Sequence, residues 1–69
     1  METIQLREDF IKLGQALKAA NLVASGAQAK EIILDGLVLV NGEVCLQRRK
    51  KLVDGDIVSF EGKKIQIVG

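Results

Sequence analysis

Sixty-nine residues, 48% hydrophobic and 28% charged, predict one small folded domain over residues 1–69, with no room for a second lobe. A chain this short buries only roughly 60% of its unfolded surface, and its core supplies roughly 3–5 kcal/mol. Ten basic and nine acidic residues leave a net charge of +1, and with no histidine and one cysteine the usual zinc sites, iron–sulfur clusters, intramolecular disulfides and Ser–His–Asp or Cys–His systems are excluded. Trp and Tyr are absent and Phe10 and Phe60 stand alone, so no stacking platform serves a run of single-stranded bases. No apolar run approaches the roughly 20 residues of a membrane span. The opening METIQLREDF lacks the basic and apolar regions of a signal peptide. With a lone thiol, that points to a reducing cytoplasm.

Taken in chain order, Thr3 to Leu6 alternate polar and apolar, the pattern of a half-buried strand. Asp9 is placed to cap a helix to about Ala20, with Phe10, Leu13, Leu17 and Ala20 as its apolar stripe and Lys12, Gln15 and Lys18 on another side. Asn21 is a candidate left-handed stop. Ser25-Gly26-Ala27-Gln28 reads as a capping box opening a second helix. Ala29, Ile32 and Ile33 form its inward face, Leu34 falls on its polar side without a role, and Gly36 sits at the C′ position.

The period then changes. Leu37 to Val40 is an aliphatic run, Asn41-Gly42 is a hairpin signal that needs positive φ at both positions, and Val44 to Leu46 is the return strand. Asp54-Gly55 turns the chain again before a strand from Ile57 to Phe60. Glu61 to Lys64 turns it once more, and Ile65 to Val68 forms a last strand. The order is β-α-α-β-β-β-β, with the amino-terminal strand free to pair with the carboxy-terminal ones. This is an α+β fold of two helices on one side of a small, mostly antiparallel sheet.

Charge is not evenly spread. Residues 1–24 are neutral, 25–47 carry −2, Arg48-Arg49-Lys50-Lys51 carry +4, and 52–69 carry −1. Four adjacent cations repel within a Debye length of about 10 Å. They form either a solvated connection between strands or a phosphate-contacting loop.

Lys12 to Leu17 (K-L-G-Q-A-L), Ser25 to Lys30 (S-G-A-Q-A-K), Gly36 to Glu43 (G-L-V-L-V-N-G-E) and Gly55-Asp56, taken together, resemble the S4 RNA-binding domain, the αL motif, over residues 2 to 68. The similarity is to its short, free-standing bacterial members of the YaaA/YbcJ type. It implies binding of structured RNA, ribosomal or transfer RNA, by a non-catalytic, monomeric module with no cofactor, no small-molecule substrate and no membrane partner. The matching surface would comprise Lys12, Gln15 and Lys18, then Ser25, Gly26, Gln28 and Lys30, the turn Asn41-Gly42-Glu43, and the run Arg48, Arg49, Lys50 and Lys51. Commoner members begin the first helix Arg-Leu-Asp where this chain has Lys12-Leu13-Gly14, and follow the serine with Arg where it has Gly26. The missing arginine removes a bidentate phosphate fork and shifts the expected burden to Arg48–Lys51.

Plainer roles stand beside these. Ser25 serves the cap, Asn41-Gly42 the hairpin, Lys12 and Lys18 the solvated helix surface, and Cys45 the core. Two other functions are compatible with the residues: a protein-interaction or ribosome-assembly accessory module, and a ubiquitin-like sulfur carrier. The carrier class shares a V-x-V-N-G-E stretch and ends in an exposed Gly-Gly, whereas this chain reads Ile67-Val68-Gly69 and has two helices before its hairpin.

Overall fold

The computed structural model describes all of residues 1–69. The chain runs through β1 (Glu2–Gln5), β2 (Ile11–Lys12), α1 (Leu13–Ala19), α2 (Gly26–Leu34), β3 (Val38–Val40), β4 (Glu43–Val44), β5 (Lys51–Leu52), β6 (Ile57–Phe60) and β7 (Lys63–Val68). Five strands form one sheet in the order β1-β7-β6-β3-β4, and β2 pairs with β5 as a separate two-stranded ribbon. Every pairing is antiparallel except β1 with β7, which is parallel and joins the two ends of the chain. The fold is thus the expected α+β type, two helices with a mostly antiparallel sheet. No helix is long and apolar enough to cross a membrane.

Both helices end as their sequences predict. Asn21 (φ 59°) and Gly36 (φ 76°) adopt the left-handed conformation one residue past each C-cap. The amides of Leu22 and Leu37 then donate back to the carbonyls of Leu17 and Ile32 at 3.0 and 3.1 Å, the Schellman pattern. At the start of α2 the Ser25 hydroxyl accepts from the Gln28 amide at 3.2 Å. The Gln28 side chain accepts from the Ala24 amide at 2.8 Å, one residue further back than a capping box strictly places it.

The start of α1 departs from expectation. Asp9 does not cap it and Phe10 is not on it. Residues 11–12 instead pair with 51–52, Ile11 opposite Leu52 and Lys12 opposite Lys51. The helix begins at Leu13, where the Gln15 side chain accepts from the Lys12 amide at 3.1 Å. Leu13 and Gly14 donate to the carbonyls of Lys50 and Arg48 at 2.9 and 3.0 Å. Long-range acceptors satisfy first-turn donors that a side-chain cap would otherwise serve. The expected strand Val44–Leu46 is also shorter: only Glu43–Val44 pair with β3, after which a single bond from the Cys45 amide to Val38 (3.0 Å) holds the chain.

The core follows from alternation. Val38 faces Phe60, Val40 faces Val58, and Val58 faces Ile65 across the sheet, so their buried side chains share one face. Leu13, Ala16, Leu17, Ala29 and Ile33 of the helices close over that face in a single hydrophobic cluster, with Leu52 from β5 among them. Each fully buried aliphatic contributes about 1.5–3 kcal/mol of apolar transfer. Cys45 packs against this cluster as a partly buried residue.

Candidate nucleic-acid interface

The two bonds from α1 to the basic run build the site. Because Arg48 and Lys50 accept from Gly14 and Leu13 through their carbonyls, the run is fastened along the helix start by its backbone, and its side chains remain free of that task. The Lys50 amide donates to Gln47 at 3.1 Å and turns the chain there. A cleft of about 250 Å³ results, lined by Lys12, Gly14, Gln15, Lys18, Gly26, Arg48 and Arg49. Four of these seven are cations, and none is acidic or apolar.

Those cations are uncommitted. None of the protein's side-chain hydrogen bonds uses a lysine or arginine side chain. Lys12 and Lys51, moreover, lie directly opposite one another across β2 and β5, an arrangement that costs a fraction of a kcal/mol when like charges face each other. Guanidinium groups bind phosphate oxygens in pairs. Gly26, the first residue of α2, has nothing within 4 Å of where a Cβ would stand. Its backbone is therefore open to close approach.

The structure brings together six of the expected residues here: Lys12, Gln15, Lys18, Gly26, Arg48 and Arg49. Ser25 and Gln28 sit beside them, occupied with the cap. Lys30 lines an adjoining cleft that shares Arg48 and Arg49. Asn41, Glu43 and Lys50 line a different cleft, together with Asp56. Asn41 is heavily engaged in the fold: its side-chain amide donates to Asp56 at 3.0 Å and its oxygen accepts from the Ile57 amide at 2.9 Å. Gly42 supplies the second positive φ of that hairpin (85°). The Lys51 ammonium stands 4.8 Å from the centroid of the Phe10 ring, a cation–π contact.

Gly14 is a lining residue that the sequence reading passed over as a site position. A Cβ there would lie 3.6 Å from the Arg48 carbonyl oxygen and 3.8 Å from Arg48 Cγ, which is ordinary contact. A carboxylate at this position would stand against Arg48. With glycine there, the cleft holds no counter-ion of its own.

The chain as a whole has relatives of known sequence and structure. A family model of the S4 domain matches residues 4–68. The chain is 42% identical over 59 residues to "Probable ribosome maturation protein RlbA" of Bacillus subtilis (strain 168), covering 86% of this chain and 83% of that one. It is 41% identical over 69 residues to YbcJ of Escherichia coli (strain K12), covering 99% of each. The solution structure of E. coli YbcJ, described as revealing an αL motif involved in RNA-binding, superposes with a TM-score of 0.76 at 40% identity, over 100% of this chain and 89% of that one. Sequence and fold agree across nearly the whole chain, and the protein belongs to the S4 domain family.

Proposed function

We propose that this protein is a non-catalytic RNA-binding module that recognises structured RNA, ribosomal or transfer RNA, through phosphate and shape, working in the cytoplasm as a monomer whose residues 1–69 act as one domain. The observation that carries this reading is the acid-free cleft in which Lys12, Lys18, Arg48 and Arg49 converge on the two helix starts. A lining without carboxylate or thiol suits binding and offers no acid–base pair for chemistry. The lack of Trp and Tyr favours a folded RNA over an extended single strand. The RNA-binding description given to the YbcJ structure supports the same reading.

Filter-binding titrations against a ribosomal RNA junction, a transfer RNA and a poly(U) strand of equal length test it. Tighter binding to both folded RNAs than to poly(U) is expected. Equal binding to all three, or none to any, would overturn the reading.

The name of the Bacillus subtilis relative favours a second reading, an accessory role in ribosome assembly. Recovery of ribosomal proteins with the tagged protein, compared before and after ribonuclease treatment, separates an RNA-bridged association from direct protein contact.

A further inference from the structure

On the other side of Arg48 and Arg49 lies a second cleft, of about 330 Å³. Lys30 and Leu34, one helical turn apart on α2, form one wall, and Leu46, Gln47, Arg48 and Arg49 form the other. Leu34 is 59% exposed and Leu46 is 54% exposed. The fold does not use this apolar surface, because α2 turns Ala29 and Ile33 into the core instead. Two exposed leucines lining a cleft rimmed by three cations combine two unmet demands. The apolar walls favour a group that displaces water, and the cations favour an anion.

A nucleotide meets both. The faces of a base are apolar enough to lie between aliphatic walls, its edge can hydrogen-bond to the Gln47 amide, and arginine guanidinium planes stack on bases. The linked phosphate falls to Arg48 or Arg49. These two arginines also line the polar cleft described above, so the clefts are contiguous and one RNA strand can occupy both. An acidic, apolar protein segment would satisfy the same walls, but continuity with the phosphate cleft favours RNA.

We infer that the cleft between Leu34 and Leu46 receives a single unpaired base extruded from the structured RNA, an inference that rests on the RNA-binding reading above. One base is the limit. Phe60 is buried and Phe10 lies under Lys51, so no further platform extends the stack. A fully paired stem cannot supply this base without a few kcal/mol of unstacking, which a bulge has already spent.

The test uses the full chain and two RNA hairpins that differ only in a single-nucleotide 2-aminopurine bulge. The bulged hairpin is expected to bind about tenfold tighter or more, because the paired one must first spend a few kcal/mol on unstacking, with a change in 2-aminopurine fluorescence on binding. Replacing both leucines (Leu34→Gln with Leu46→Gln) should bring the bulged hairpin to the affinity of the paired one and leave the paired one unchanged. Both positions are exposed, so the fold is not at risk. Equal affinity for the two hairpins, or a preference that survives the double substitution, would overturn the inference while the phosphate cleft stands, and would leave the leucines to a protein partner. Failure of both hairpins to bind would overturn the RNA-binding reading and this inference with it.

Discussion

Replacing Arg48 and Arg49 together by glutamine removes two of the four cations that line the acid-free cleft and leaves the fold's hydrogen bonds intact, because Arg48 serves α1 through its carbonyl and neither side chain makes a hydrogen bond. Four phosphate contacts at ~0.7–0.9 each give log affinity against log salt a slope of about −3 to −4. Raising the salt from about 50 to 200 mM should then weaken binding by about a hundredfold. With two contacts left the slope falls to about −1.5, and the same change in salt costs about tenfold. Electrophoretic titrations of a structured ribosomal RNA at four salt concentrations read both quantities. The paired substitution Lys63→Gln with Lys64→Gln, at exposed positions on β7, controls for general charge and should leave the slope unchanged. An unchanged slope in the arginine variant, or an equal loss in the β7 variant, would refute the assignment of the cleft.

Three further substitutions separate binding from folding. Gly14→Asp adds a Cβ in ordinary contact with Arg48 and brings a carboxylate to that arginine's side of the cleft. The melting temperature should hold or rise, since an acid in a first helical turn stabilises by about 0.3–1 kcal/mol, while RNA affinity falls and the salt slope drops by about 0.7–0.9. Asn41→Ala deletes the bonds to Asp56 and Ile57. It should cost about 1–3 kcal/mol, read as a lower urea midpoint, with little effect on the affinity of the molecules that remain folded. In Gly36→Ala the added Cβ meets no clash, only Val44 Cγ1 at 3.8 Å. Its cost of about 1–2 kcal/mol therefore comes from the left-handed backbone alone (φ 76°), and an unchanged midpoint would show that the chain can end α2 without it.

What was legible in the sequence was mostly local. Ser25 and Gly36 bracket α2, Asn21 stops α1, and Asn41-Gly42 sets a hairpin, because each acts through conformational preferences of a few neighbouring residues. The start of α1 was not legible. Its donors are satisfied by carbonyls of Arg48 and Lys50, more than thirty residues downstream, and two-residue strands such as β2 and β5 carry no periodic signal. The cationic run was plain as a run, but its division was not. Arg48 and Arg49 reach the cleft, Lys50 lines the opening beside Asn41, and Lys51 covers Phe10, since the chain turns at Gln47–Lys50 and then extends into β5. Leu34, without a role in the helical projection, comes to line a cleft only when the loop carrying Leu46 is folded opposite it.

Amide chemical-shift mapping on the isotope-labelled chain, titrated with a structured ribosomal RNA hairpin, tests the central claim most directly. The largest shifts are expected at residues 12–18, 26–34 and 46–49, the segments that line the two clefts meeting at Arg48 and Arg49. Shifts concentrated instead along β1 and β7, or saturable binding that leaves the amides of Arg48 and Arg49 unmoved, would contradict it.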